Sequence, residues 1–244
     1  MNHEILLPLC AAIALVAFLY SSVGHAGASG YIAVMTLFGL ADQTIRPAAL
    51  VLNVLVAALT TWQFHRAGHF SWRLFWPFAL GSIPLAFVGG YVKLPTQGFK
   101  ILVGLVLLFS ALRFWWKPAE AETATLPSEP VSIAVGGGLG LLSGLTGTGG
   151  GIFLTPLLLF KRWATTKVAA GVSALFILCN SLSGLAGNVS STRQLPFFAV
   201  PLAASALAGG ALGGYLGSQR LAPAAIKRLL AVVLTIAGLK LLFA

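Results

Sequence analysis

The chain of 244 residues is 58% hydrophobic and only 8% charged, with 15 basic and five acidic side chains and a formal net charge of +10. Soluble chains carry about 25% charged residues, so this composition excludes a soluble enzyme, a nucleic-acid binder and a secreted module. The positive excess reads as loop charge that orients a membrane protein, and the partner it implies is a lipid bilayer, not nucleic acid.

Apolar runs fall at 5–24, 28–40, 46–65, 73–92 and 98–116. The first does not read as a secretory signal, because Asn2-His3-Glu4 lacks a basic region ahead of it. A polar stretch from Lys117 to Pro130 follows; it holds three of the five acids and three of the twelve prolines and reads as an exposed linker. Further runs lie at 131–146, 150–160, 166–188, 195–217 and 223–243. Runs near 20 residues match a hydrocarbon core about 30 Å thick. The second run of each set, about 11–13 residues long, reaches only about 20 Å as a helix and predicts a half-helix or re-entrant arm. The expected fold is an all-α polytopic membrane protein with a first transmembrane repeat at 1–117, a cytoplasmic linker at 118–130 and a second repeat at 131–244. Cys10 and Cys179 each lie inside an apolar run and predict no disulfide.

If the chain starts outside and alternates at each boundary, the cytoplasmic loops carry Arg66, Arg73, Arg113, Lys117, Lys161, Arg162, Lys167, Arg220, Lys227 and Arg228. The other side receives Arg46, Lys93, Lys100, Arg193 and Lys240. Ten against five predicts both termini on the non-cytoplasmic side of an inner membrane. Each half then makes an odd number of passes, whether its short run crosses or folds back.

The halves also align by residue. Ser22 to Ile32 lies over Ser143 to Phe153, and Arg46-Pro47-Ala48-Ala49 over Lys167-Val168-Ala169-Ala170, both at an offset of 121. Gly89-Gly90-Tyr91 lies over Gly213-Gly214-Tyr215 at 124, and Phe99-Lys100 over Ile226-Lys227 at 127, where Arg113 also meets Lys240. An odd number of passes inverts the second copy. Two inverted-topology repeats of about five helices, each opened by a Gly-rich broken or re-entrant helix pair, are the pattern of an alternating-access transporter.

The breaks carry a family resemblance. Gly147-Thr148-Gly149-Gly150-Gly151-Ile152-Phe153-Leu154-Thr155-Pro156 resembles the Gly-rich break, apolar run and proline of the sulfite exporter family called TauE/SafE. The first copy departs from it: Gly27-Ala28-Ser29-Gly30 replaces the triple glycine, and Met35 stands where Pro156 would fall. The resemblance covers nearly the whole chain apart from the linker. It implies a transporter of sulfite, organosulfonates or related small anions. No cofactor is expected, and the sequence leaves monomer and homodimer equally open.

Unwound backbone persists at membrane depth only where it lines a cavity or is buried in protein. Helices starting near Ser29 and Gly150 would aim their amides and positive dipole ends into the breaks. The expected anion site is therefore Ser22, His25, Gly27, Ser29 and Gly30 from the first half, with Ser143, Thr146, Thr148, Gly149, Gly150 and Gly151 from the second. Asn53 and Asn180 are amides within long apolar runs, expected as helix–helix glue or substrate contacts, with Asn180 the better candidate beside Ser181 and Ser183. His25 reads either as a proton carrier or anion ligand, or as a neutral ring with both nitrogens bonded. His65 and His69 read as interfacial loop residues, and Arg46 and Lys167 as charges snorkelling to head groups. Gly209-Gly210, Gly213-Gly214 and Gly136-Gly137-Gly138 are expected to permit close helix packing. Trp72, Trp76, Trp115, Trp116 and Trp163 are expected in an interfacial belt.

No apolar run contains a carboxylate, so no metal site and no acidic cation site is expected. An anion suits such an interior, and an inside-negative potential favours its exit by about 2.3 kcal/mol per charge per 100 mV. Three other readings compete: a carrier of another small organic anion, a ten-helix drug/metabolite exporter, and a rhomboid-like intramembrane serine protease. The last rests on the Gly27-Ala28-Ser29-Gly30 motif with a downstream histidine.

Overall fold

The computed structural model describes residues 3–40, 42–92, 124–192 and 200–243, together with Leu105, Leu108, Phe109, Ala111, Leu112 and Trp115. The fifth apolar run of the first half, apart from those six residues, and most of the linker lie outside the described residues, as does Trp116.

The described elements are all helical: α1 (His3–Ser21), α2 (Ala28–Leu37), α3 (Asp42–Arg66), α4 (Trp72–Tyr91), α5 (Glu129–Thr146), α6 (Gly151–Phe160), α7 (Thr166–Thr192), α8 (Val200–Tyr215) and α9 (Pro223–Phe243). A π turn at Leu216–Arg220 joins the last two. In hydrocarbon every backbone amide and carbonyl needs an internal partner, and a helix supplies these within one segment. The starts are local: Ser71 caps α4 by accepting from the Leu74 amide at 3.4 Å, and α5 opens with Glu129 and Pro130 in its first turn. Four helical stretches are long and apolar enough to cross a membrane: Pro47–Arg66, Trp72–Tyr91, Thr166–Thr192 and Val200–Arg220. The two short runs become α2 and α6, ten residues each. At a rise of about 1.5 Å per residue, ten residues reach only half-way through a bilayer.

The helices interlock across the two halves. α4 packs along α5, α1 along α8, and α3 along α7. One apolar core joins α1, α2, α3 and α8 through Leu9, Ile13, Tyr31, Met35, Leu52, Val56 and Ala206. A second joins α4, α6 and α7 through Phe78, Leu154, Leu158, Val172 and Phe176, with Val135 and Leu139 of α5 against it. Each core thus joins helices of both halves, with Ile177 of α7 also packed into the first.

Small residues set how closely these pairs approach. A Cβ on Gly136, Gly140 or Gly144 would collide with the backbone of Phe78, Ser82 or Ala86 in α4. The α1–α8 seam repeats the arrangement, with Gly209, Gly213 and Gly217 against Ala14, Phe18 and Ser22. This is the close packing expected of these glycines, with one exception: a Cβ on Gly138 would meet nothing within 4 Å.

Four connections meet at one end of the bundle. The His69 carbonyl abuts Gly171 near the start of α7, Lys167 Nζ donates to the Ser218 carbonyl at 3.3 Å, and the Thr125 amide donates to the Arg162 carbonyl at 3.0 Å. Lys167 is therefore tied to the π turn, whereas snorkelling was expected of it; the side chain of Arg46 lies outside the described residues. Trp72, Trp76 and Trp115 are exposed, as belt residues would be. Trp163 differs: its ring packs on Phe78 with centroids 6.1 Å apart, which makes it part of the second core.

Candidate functional site

α1 stops at Ser21 and the chain re-enters a helix at Ala28; α5 stops at Thr146 and the chain re-enters at Gly151. Gly27 (φ 102°) and Gly150 (φ 80°) hold the left-handed backbone immediately before α2 and α6. L-residues with a side chain rarely adopt that conformation, so glycine is the residue that permits each turn. Gly27 and Gly150 thus share one backbone conformation and one place, immediately before a ten-residue helix, whereas the repeat alignment sets Ser29 opposite Gly150.

Neither cap residue offers a side chain to the first-turn amides. In α2 one amide is served from another helix: the Ala28 N–H donates to Asn53 Oδ1 of α3 at 3.0 Å. Asn53 Nδ2 then donates to Ser181 Oγ of α7 at 2.8 Å. Gly149 sits against both groups, since a Cβ there would lie 2.6 Å from Asn53 Nδ2 and 2.8 Å from Ser181 Oγ. The two breaks are therefore tied together through α3 and α7.

Between the breaks lies a cavity of about 10 Å³, lined by Tyr20, His25, Ala26, Gly27, Ala28, Ser29, Thr148, Ile152 and Ile177. That volume holds about one water-sized sphere. A four-atom oxyanion enters only if the breaks move apart.

Buried hydroxyls and one imidazole surround the cavity. The Tyr20 and Ser29 hydroxyls pair at 3.0 Å. His25 Nε2 lies 2.8 Å from Thr155 Oγ1, which donates to Ser173 Oγ at 2.7 Å. Thr146 and Thr148 pair at 2.8 Å, while Thr146 also bonds the Leu142 carbonyl. Ser143 Oγ is buried without a hydrogen-bond partner next to Gly150. On the far side of α2, Lys240 Nζ donates to the Ser29 carbonyl at 2.7 Å and sets a positive charge beside the first break.

Of the residues singled out in the sequence, His25, Gly27, Ser29 and Thr148 line the cavity. Asn53, Gly149, Gly150 and Ser143 frame it through the contacts above. Ser22 turns back to the Phe18 carbonyl at 2.8 Å, and Gly30 packs on Val16 and Tyr20 of α1. Gly151 packs on Ile177. Asn180 bonds its own helix at the Phe176 carbonyl, 2.8 Å away, so Asn53 is the amide that reaches the breaks. Tyr20, Thr155, Ser173, Ser181 and Lys240 were not singled out. Lys240 had a signal in its alignment with Arg113 and Ser181 in its place beside Asn180; the other hydroxyls had none, because serine and threonine are common in packed helices.

Among the described residues no group of three His, Cys, Asp or Glu side chains could hold a metal ion. Ser29 pairs with Tyr20, and His25 with Thr155, so no serine–histidine hydrogen bond forms at the break.

The family model "Sulfite exporter TauE/SafE" matches residues 9–241. The chain belongs to the TauE/SafE sulfite exporter family. It is 39% identical over 240 residues to the "Probable membrane transporter protein y4hK" of Sinorhizobium fredii (strain NBRC 101917 / NGR234), covering 96% of this chain and 97% of that one. No solved structure matches it. As a TauE/SafE member the chain is a multi-pass membrane protein of a transporter family, not an enzyme, and the serine-protease reading falls.

Proposed function

We propose that this protein is a secondary transporter that exports small sulfur-containing oxyanions, sulfite or an organosulfonate, by alternating access across the inner membrane. The anion sits between the breaks at 22–27 and 147–150, near the membrane midplane. One observation carries the reading: two ten-residue helices begin at left-handed glycines around a single small cavity to which Tyr20, Ser29, Thr148 and His25 contribute polar side chains. Helix N-termini favour anions, and fixed amides need no carboxylate partner. The family name points to sulfite, and both an anion and its hydroxyl ligands suit a chain whose apolar runs hold no acid.

The packing supports the two inverted repeats, 1–117 and 131–244 around the linker at 118–130. The first helix of each half lies against the fourth of the other, and the third helices pair with each other, as a pseudo-two-fold requires. The clustering of His69, Lys167, Arg162 and Thr125 connections at one end supports a shared cytoplasmic face for those loops, with both termini on the other side. The small cavity fits an occluded state between two open ones.

The test is thermal unfolding of the purified protein in detergent with sulfite, methanesulfonate or choline. The two anions raise the midpoint saturably and choline does not. A midpoint unmoved by either anion contradicts the proposal.

A further inference from the structure

His25 is 2% exposed, and its two ring nitrogens have different surroundings. Nε2 meets Thr155 Oγ1, and Thr155 Oγ1 spends its proton on Ser173 Oγ. A threonine hydroxyl has a single proton, so Thr155 has only lone pairs left for the imidazole. Nε2 must therefore carry the hydrogen and donate. Nδ1 is buried and makes no hydrogen bond, while the residue lines the cavity.

With the hydrogen fixed on Nε2, the neutral ring presents Nδ1 as a bare acceptor. A bare acceptor and a fully ionised oxyanion set lone pair against lone pair, which is unfavourable in a buried site. One proton between them turns the conflict into a charge-assisted hydrogen bond. Building on the anion-site reading above, we propose that the site takes its anion together with one proton, shared between His25 Nδ1 and an anion oxygen. The preferred substrate is then an oxyanion that brings its own O–H, as hydrogen sulfite does. A sulfonate, ionised throughout, enters only with the imidazole protonated. Hydrogen sulfite on neutral His25 and sulfite dianion on the imidazolium are the same complex: one proton, net charge −1. Each anion released on the far side carries that proton or leaves it to the water there.

The titratable groups facing this position are few. Tyr20 of α1 lies with its ring centroid 6.5 Å from that of His25, Tyr31 of α2 packs under Gly27, and Lys240 of α9 holds the Ser29 carbonyl. From α3, α6 and α7 the neighbours are Asn53, Thr155 and Ser173, none of which titrates. The tautomer lock at Thr155 thus singles out His25 as the proton site.

The experiment is isothermal titration of the purified full-length protein in two buffers of different protonation enthalpy, at a pH where sulfite in solution is the dianion. Sulfite and methanesulfonate are the probes. The wild type takes up one proton for each anion bound, with either probe. His25→Gln keeps an amide N–H for Thr155 but lacks the second ring nitrogen, and its proton uptake with methanesulfonate falls to zero. Binding to the wild type without proton uptake overturns the proposal and leaves the anion site standing. No binding of either probe overturns both.

Discussion

Asn53 of α3 holds the first amide of α2: its Oδ1 accepts from the Ala28 N–H at 3.0 Å, and its Nδ2 donates to Ser181 Oγ of α7. One fully buried side chain thus caps a half-helix and bridges the halves of the molecule. Asn53→Leu strands a buried amide and should cost about 1–3 kcal/mol, read from thermal or denaturant unfolding. Asn53→Asp keeps the acceptor for Ala28 but adds negative charge at the anion site. Its anion flux should fall by far more than its stability; equal losses in both would make Asn53 a purely structural bridge.

Glycines of one chain should divide by environment. Gly149→Ala places a methyl group within 2.6–2.8 Å of Asn53, Ile177 and Ser181 at φ +79°. The left-handed backbone alone costs about 1–2 kcal/mol, and the crowding adds to it. Gly138→Ala meets nothing within 4 Å in the interior of α5 and should be stabilising by up to about 1 kcal/mol. Unfolding midpoints of the two variants that move together would contradict the packing described for both.

His69, in the connection between α3 and α4, supplies a pH dependence. Burial first, and the Lys167 charge second, hold its pKa below the ordinary 6.5, against a smaller upward pull from the Ser218 backbone. The folded protein therefore binds this proton less readily than the unfolded chain. The residue adds no pH dependence well above 6.5. Below that value it destabilises the fold as the unfolded state takes up the proton first. In melting curves, the wild type should lose more stability than His69→Gln between neutral pH and pH about 5. A smaller loss in the wild type than in the variant would reverse the assigned sign.

Lys240 places its ammonium on the Ser29 carbonyl, beside the N-terminal, positive end of α2. Two positive potentials converge there, which suits an anion. Lys240→Gln should weaken sulfite binding several-fold by removing a positive charge beside the site, and should also lower the unfolding midpoint without anion, because the charged hydrogen bond to Ser29 is lost. Lys240→Arg should retain most of the affinity. Unaltered sulfite binding in Lys240→Gln would remove this residue from the account.

The helices were legible because runs such as 73–92 and 166–188 have one physical use at that length, crossing a bilayer. The two half-helices were legible because glycines precede runs too short to cross. Which residue opens the first half-helix was not: the repeat alignment sets Ser29 opposite Gly150, whereas Gly27 shares the backbone conformation of Gly150 and its place before a ten-residue helix. Which buried amide serves the site was equally hidden. Asn53 and Asn180 look alike in sequence, and only helix packing turns one toward Ala28 and the other onto its own backbone. The hydroxyl relay from Thr155 to Ser173 joins α6 to α7, a contact that periodicity does not encode.

Flux through reconstituted protein tests the central claim most directly. Proteoliposomes loaded with sulfite, and separately with choline, are given an inside-negative potential and efflux is recorded. The account predicts sulfite efflux that the potential accelerates, that methanesulfonate inhibits and that Gly149→Ala abolishes, with choline retained. Efflux of choline, or sulfite held as tightly as in protein-free vesicles, would contradict it.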